Sequence, residues 1–114
     1  MIKSYGDKKL SKTGSHRASM FRNMMTSLVM NEKLVTTNAK AKELRRFFDT
    51  LINDAKQNNY SRVRSGINGK EAFEKLTKVL AQRFKERNSG YTSLINVGYR
   101  KGDNTLLTMI KLVD

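Results

Sequence analysis

The sequence contains no cysteine, no proline and no tryptophan among its 114 residues, and it has one histidine, His16. Without cysteine, disulfides, thiolate zinc sites and cysteine nucleophiles are excluded. No carboxylate cluster stands at ligand spacing from His16, so the sequence predicts no metal site. Because proline is absent, the loops must be shaped by glycine, asparagine and serine.

Long apolar runs are missing as well. No segment approaches the roughly 18 consecutive apolar residues that a membrane-spanning helix requires, and the first residues lack the apolar core of a secretory signal. No internal repeat is apparent, and the length suits one small domain. We therefore expect a cytoplasmic protein that has no membrane partner.

The residues of catalytic sites are also poorly represented. The ten acidic residues are scattered, many of them in segments rich in lysine and arginine, where surface pairing is the ordinary outcome. Ser15 is adjacent to His16, but nucleophilic catalysis also needs a group that orients the base. No glycine-rich phosphate loop occurs. The sequence thus predicts a protein that is not an enzyme and that takes no cofactor and no small-molecule substrate.

Positive charge is what the sequence has in excess. Lysine and arginine together number 23 against 10 acidic residues, which gives a net charge of +13. Such an excess destabilises a compact state through self-repulsion, but it favours nucleic-acid binding because each neutralised phosphate releases condensed counterions. The excess is dense in residues 1–14, which we interpret as a basic N-terminal arm. Residues 15–114 are predicted to form a single domain.

The spacing of apolar residues predicts four helices. They run from about Ser15 to Asn31, from a cap at Thr37 or Asn38 to about Gln57, from Tyr60 to Ile67, and from about Lys70 to Arg87. The predicted core positions are Phe21, Met24, Met25, Leu28 and Val29 in the first helix, Ala41, Leu44, Phe47 or Phe48, Leu51, Ile52 and Ala55 in the second, and Phe73, Leu76, Val79, Leu80 and Phe84 in the fourth.

Runs rich in β-branched residues predict three strands, Lys33–Thr37, Tyr91–Val97 and Thr105–Val113. The segment Gly98–Asn104 between the last two has the length of a longer hairpin loop. Because two antiparallel strands alone are marginal in water, we expect the first strand to complete the sheet. The predicted fold is α+β in two layers, with about four helices packed on one face of a small three-stranded sheet.

The cations recur in the arm, at the start of the second helix, in the third helix and in the hairpin loop, mixed with the polar residues that contact phosphate and ribose. No helix-turn-helix or zinc module points to DNA, and the strands carry few aromatics for base stacking. The pattern favours backbone and shape recognition of a structured RNA. An architectural protein that acts by charge on DNA is the alternative, and a membrane-surface protein is less favoured. By this reasoning, the candidate RNA-binding residues include Lys3, Arg46, Arg62 and Arg64.

Several motifs resemble those of the bacterial large-subunit ribosomal protein L17 family. Gly14–Met24 reads GSHRASMFRNM, close to the family signature S-H-R-x-A-M-x-R-N-M. Val35–Thr37 (VTT) followed by Ala39–Arg45 (AKAKELR) is similar to the family segment V-T-T-x-x-K-A-K-E-L-R. Arg87–Thr92 (RNSGYT) and Gly98–Asp103 (GYRKGD) resemble R-N-G-G-Y-T and G-x-R-x-G-D. The matches stand in the family's order and cover nearly the whole chain.

The resemblance implies a structural constituent of the large ribosomal subunit that supports translation in the cytoplasm. It also implies a fold of helices against a small sheet, binding to large-subunit ribosomal RNA near the polypeptide exit tunnel, and contact with the neighbouring ribosomal protein L32. Carried over by position, the residues that the resemblance places on RNA are Lys8, Lys9, Lys12, His16, Arg17, Arg22, Asn23, Lys40, Lys42, Arg45, Arg87, Asn88, Tyr91, Arg100 and Lys101.

Overall fold

The computed structural model describes the backbone of residues 14–113 and the side chains of residues 16–113. The arm predicted at residues 1–14 therefore falls almost wholly outside the described residues, and so do its candidate RNA-binding residues, Lys3, Lys8, Lys9 and Lys12.

The first half of the described chain alternates helix and strand. Helix α1 spans Gly14–Asn31 and leads into strand β1, Lys33–Thr37. Helix α2 spans Asn38–Lys56, and the short helix α3 spans Tyr60–Gly66. Of the two predicted caps of the second helix, the structure has Thr37, whose side chain accepts a 3.4 Å hydrogen bond from the backbone N–H of Lys40.

The second half holds a longer, irregular helix and a hairpin. Helix α4 consists of an α-helical segment, Lys70–Lys75, a π-helical turn, Leu76–Leu80, and a last α-helical segment, Ala81–Arg83. Strands β2, Thr92–Tyr99, and β3, Leu106–Leu112, follow. The predicted α+β fold, with four helices and a three-stranded sheet, is confirmed.

The three strands form one antiparallel sheet in the order β1-β3-β2. Leu34 and Leu94 both stand opposite Ile110 of the central strand, and this row packs into the core. Val35 and Ile95 belong to the neighbouring row and are exposed, because successive side chains of a strand point to opposite faces. The helices accordingly cover one face of the sheet, as the sequence predicts.

Most predicted core positions are buried, including the first-helix residues Phe21, Met25, Leu28 and Val29, whereas Met24 and Phe73 are half-buried. The choice left open between Phe47 and Phe48 falls on Phe48, which is fully buried. The prediction for Val79 is wrong, because 47% of this side chain is exposed.

The π-helical turn explains the exposure of Val79. The backbone N–H of Ala81 bonds to the carbonyl of Leu76, five residues earlier. This wider turn changes the angle between successive side chains. Leu76 and Leu80 remain on the buried face, and Val79 between them is turned out to solvent.

Glu32 links α1, α4 and the sheet. It adopts φ 64° between α1 and β1, and its carbonyl accepts a 3.0 Å hydrogen bond from the N–H of Leu112. Arg83 lies 2.6 Å from Oε1 of its carboxylate, and Lys75 lies 3.0 Å from Oε2. Hydrogen bonds from Arg83 and then Lys75 lower the pKa of Glu32 from its ordinary 4.5 to about 2, although desolvation opposes the shift.

We expect Glu32→Gln to lower the free energy of unfolding near neutral pH by about 1 kcal/mol, the upper end for partly exposed ion pairs. Because the pKa of Glu32 is lower in the folded than in the unfolded state, its charge contributes fully above about pH 4.5 and progressively less as the pH falls towards 2. In denaturant titrations, the difference in free energy of unfolding between variant and wild type should therefore become smaller as the pH falls over that range. Glu86→Gln, at an exposed position, is the control, and a gap independent of pH would show that the charge of Glu32 is not what stabilises the fold.

Candidate nucleic-acid interface

A groove opens where α1, α2 and α3 meet. It consists of two neighbouring hollows of about 240 and 420 Å³. Arg17 and Arg22 line the first hollow, and Arg62 lines the second, so cations from two helices surround one depression. We call it the α1–α3 groove. The two hollows share the residues Met25, Phe47, Ser65 and Gly66.

The floor of the α1–α3 groove is apolar. The rings of Phe21 and Phe47 pack with their centroids 5.1 Å apart at a tilt of 60°. Phe21 is buried and Phe47 is half-buried, so the apolar stripe of α1 continues to the groove surface. The arginines thus stand beside an apolar, low-dielectric surface, where their charges are less well screened than in open water.

Arg22 has a structural contact that the sequence did not predict. Its Nε and Nη2 atoms donate hydrogen bonds of 3.1 and 3.0 Å to the carbonyl of Ser65, in the last turn of α3. The guanidinium therefore holds α1 against α3 while its residue stays exposed. Nη1 takes no part in these two bonds.

The neighbouring polar residues tie α1 to the loop after α3. The amide of Asn68 donates to Oδ1 of Asn23, and the backbone N–H of Asn68 donates to the Thr26 hydroxyl at 2.8 Å. Asn23 is exposed, and so is His16 near the start of α1, whereas Arg17 is half-buried. Of the first-helix candidates, Arg17 and Arg22 thus line the groove.

Helix α2 carries a second group of cations. Lys42 and Arg45 are exposed and Lys40 is half-buried, and none of the three has an ion-pair partner within residues 16–113. Arg46 differs, because its Nη1 lies 2.9 Å from Oε2 of Glu43, a carboxylate that is itself buried. Part of the charge of Arg46 is thus neutralised within the helix.

The β2–β3 loop is closed by an ion pair. Nη2 of Arg100 lies 2.8 Å from Oδ2 of Asp103, whose Oδ1 also accepts a 3.1 Å hydrogen bond from the N–H of Thr105. Through these contacts Arg100 holds the pKa of Asp103 well below its usual range, and Asp103 raises the pKa of Arg100. Lys101 is exposed in the same loop and forms no ion pair within the described part of the chain.

Two further candidates follow α4. Arg87 and Asn88 are both exposed, and Nη1 of Arg87 donates to the carbonyl of Gly90 at 3.3 Å. In α3, Arg62 lies 4.0 Å from Asp54, and Arg64 stands over the ring of Phe73 at 4.6 Å.

Tyr91 stands apart from the other candidates because it is fully buried. Its hydroxyl lies 2.6 Å from Oδ1 of Asn53 and accepts a 3.1 Å hydrogen bond from Lys56, and the carbonyls of Arg87 and Asn88 lie at 3.1 and 3.0 Å. The side chain packs against the ring of Phe84 in the core. We therefore leave Tyr91 out of the proposed RNA-binding surface.

Among residues 16–113, no group of three or more histidine, aspartate or glutamate side chains is placed to hold a metal ion. No helix in the described part of the chain combines the length and the apolar character needed to cross a membrane.

The α+β fold, the net charge of +13 and the exposed cations are typical of the small basic proteins of ribonucleoprotein particles. A family model described as Ribosomal protein L17 matches residues 20–113. The chain therefore belongs to the ribosomal protein L17 family, as the motifs predict. Proteins of this family are structural components of the ribosome, so the prediction that the chain is not an enzyme is confirmed.

The similar proteins are bacterial, and each is named large ribosomal subunit protein bL17. The chain is 46% identical to the protein of Elusimicrobium minutum (strain Pei191) over 114 residues, which covers 100% of both chains. It is 40% identical to the protein of Endomicrobium trichonymphae, with 99% of each chain covered. It is 44% identical to the protein of Anaeromyxobacter sp. (strain K) over 94% of this chain and 70% of that relative.

Proposed function

We propose that the chain is a structural constituent of the large ribosomal subunit and binds the large-subunit ribosomal RNA through its basic N-terminal arm, its helix faces and the β2–β3 loop. The proposed RNA-facing residues are Lys3, Lys8, Lys9 and Lys12 in the arm, His16, Arg17, Arg22 and Asn23 in α1, Lys40, Lys42, Arg45 and Arg46 in α2, Arg62 and Arg64 in α3, and Arg87, Asn88, Arg100 and Lys101 in the later loops.

The observation that carries this proposal is the convergence of Arg17, Arg22 and Arg62 on the α1–α3 groove. The charged residues that line the groove are these three arginines and one carboxylate, Asp54, which lies 4.0 Å from Arg62. The excess of positive charge raises the energy of the isolated fold, and a polyanion relieves that repulsion. Arg22 is also held in place by its two bonds to Ser65. A guanidinium that is already positioned loses less side-chain entropy when it binds a phosphate.

Helix α2 and the β2–β3 loop extend the same proposal. Lys42 and Arg45 are exposed without intramolecular carboxylate partners among the described residues, so their charges are available to phosphates. The Arg100–Asp103 pair closes the loop, and Lys101 is exposed beside it. These contacts read the position of the RNA backbone, not its base sequence.

We also propose that the binding site lies near the polypeptide exit tunnel and that the chain contacts ribosomal protein L32 there. Membership of the ribosomal protein L17 family supports this placement. Locating the chain in a density map of the large subunit tests both statements. A position remote from the tunnel, or from L32, would contradict the corresponding one.

We expect Arg62→Ala and Lys42→Ala each to lower the slope of log binding constant against log salt concentration by roughly one unit, because each removes one phosphate contact. The measurement uses the full chain and purified large-subunit ribosomal RNA, with thermal melts to show that the fold is intact. Lys85→Ala, which removes an exposed cation outside the proposed surface, should leave the slope nearly unchanged.

Equal losses in all three variants would show that binding follows total charge and not the proposed surface. Sedimentation of the wild-type chain distinguishes the proposed function from the remaining alternative, an architectural protein that binds DNA. A ribosomal constituent migrates with the large subunit after a moderate salt wash, whereas an architectural DNA-binding protein does not.

A further inference from the structure

A separate hollow of about 570 Å³ lies between α3 and the first half of α4, and we call it the α3–α4 pocket. Its volume is within the roughly 300–1,000 Å³ of ordinary small-molecule sites. It shares no lining residue with the α1–α3 groove, and none of its lining residues belongs to the family motifs. The lining residues that matter for the argument are Arg64, Ile67, Lys70, Phe73, Glu74 and Lys78.

The wall of the pocket contains a cation–π contact. The guanidinium carbon of Arg64 stands 4.6 Å from the centroid of the Phe73 ring, and Tyr60 supports that ring edge-on at 5.7 Å. Arg64 is exposed, so the plane of its guanidinium that faces away from Phe73 is open to a ligand. Unstacked RNA bases commonly stack on arginine planes of this kind.

The polar residues of the pocket complement a nucleotide in both charge and hydrogen bonding. Lys70 and Lys78 are exposed cations that suit a phosphate, and Lys78 belongs to the π-helical turn, a feature that often marks functional sites. Glu74 is half-buried, and its carboxylate has no ion pair or hydrogen bond with residues 16–113. Glu74 and Lys78 stand four residues apart in the helix, yet no salt bridge joins them, so the carboxylate is available as an acceptor.

We infer that the α3–α4 pocket binds one unstacked guanine nucleotide of the RNA, with the base stacked on Arg64, the base edge donating to Glu74, and the phosphates beside Lys70 and Lys78. Guanine is the base whose N1–H and exocyclic amine together offer two parallel donors to one carboxylate. Ile67 and Phe73 supply the apolar surface that excludes water from the base. The inference rests on the proposed function and adds to it a base-recognising site.

The test compares Arg64→Lys with Arg83→Lys in binding of the full chain to purified large-subunit ribosomal RNA. Arg64→Lys keeps the charge but removes the stacking plane, so we expect a roughly 5- to 100-fold loss of affinity, the range for one base stack, with no change in salt slope. Arg83 also stands over an aromatic ring, Phe84 at 5.9 Å, but it lies outside the pocket. Arg83→Lys should stay within about twofold of wild type.

Glu74→Gln provides a second test of the pocket, one in which Arg64 is unchanged. We expect the wild-type chain to protect at least one unpaired guanine from a dicarbonyl reagent that reacts at N1 and N2. That protection should be lost in Glu74→Gln and in Arg64→Lys, and it should persist in Arg83→Lys. Thermal melts of each variant confirm that the chain is folded at the temperature of the assay.

The outcomes distinguish a failure of the pocket inference from a failure of the proposed function on which it rests. If the wild-type chain binds the RNA but Arg64→Lys and Glu74→Gln leave affinity and guanine protection unchanged, the pocket inference is overturned and the proposed function stands. If the wild-type chain fails to bind the RNA at all, the proposed function fails and the inference fails with it.

Discussion

Leu28→Ala is expected to lower the free energy of unfolding by about 2 to 5 kcal/mol, the range for truncating a well-packed core leucine. Leu28 is 0% exposed and packs in the cluster where α1 meets α2 and the sheet. The substitution removes the apolar contacts and leaves a cavity that the neighbouring rings can fill only in part. Chemical denaturation of the full chain, followed by circular dichroism, measures the loss.

Met30→Ala is the matched control, because it truncates a large apolar side chain two residues further along the same helix. Met30 is 39% exposed and lies outside the core cluster, so its loss should cost about 0.5 kcal/mol or little more. Similar losses in the two variants would contradict the assignment of the buried face of α1.

The fold was predictable because local patterns and tertiary packing agree along most of the chain. Strand β1 begins and ends at the predicted residues, Lys33 and Thr37. Its β-branched run is bounded by polar residues, and Thr37 caps the helix that follows. A physical argument about the instability of two strands, and not a local signal, predicts that β1 joins the sheet. Its pairing with β3 is shown by the structure. The π-helical turn in α4 leaves no mark in the apolar spacing, and for that reason Val79 was misplaced.

The candidate site was less predictable, because its geometry depends on contacts between residues distant in sequence. Arg22 and Ser65 are separated by 43 residues, and no pattern around either one indicates that a guanidinium joins α1 to α3. The Arg100–Asp103 pair is predictable from sequence, because the two residues stand three apart in a loop rich in glycine. The α3–α4 pocket was missed because Arg64 was selected for its charge alone, whereas its contact with Phe73 depends on tertiary packing.

Tyr91 is a motif residue that serves the fold, while Arg87 and Asn88 in the same motif are exposed. The segment Arg87–Thr92 resembles a family motif, and from sequence alone its residues Arg87, Asn88 and Tyr91 are candidate RNA contacts. In the structure, the Tyr91 ring is 0% exposed and its hydroxyl lies within hydrogen-bonding distance of α2 and of the loop that follows α4. Arg87 and Asn88, on that loop, remain exposed. The buried tyrosine thus positions the loop that presents them.

We expect Tyr91→Phe to lower the free energy of unfolding by about 1 to 3 kcal/mol, the cost of leaving buried partners of a lost hydrogen bond unsatisfied. The ring is retained, so the apolar packing against Phe84 is kept, and the loss falls on Oδ1 of Asn53 and on the ammonium of Lys56. Denaturant titrations of the full chain measure it. Tyr60→Phe removes a hydroxyl that bonds Asn58 on a 42% exposed tyrosine, and it should change stability by no more than about 0.5 kcal/mol.

The same variant decides between a structural and an RNA-contacting role for Tyr91. If the hydroxyl acts through the fold, Tyr91→Phe lowers stability, and at temperatures where the variant is fully folded its affinity for large-subunit ribosomal RNA stays close to that of wild type. If the hydroxyl contacts RNA, affinity falls and the denaturation midpoint does not move. The hydroxyl has four hydrogen-bonding neighbours, which are Asn53, Lys56 and the carbonyls of Arg87 and Asn88. A group surrounded by the protein in this way cannot also face a phosphate. We therefore expect the first result.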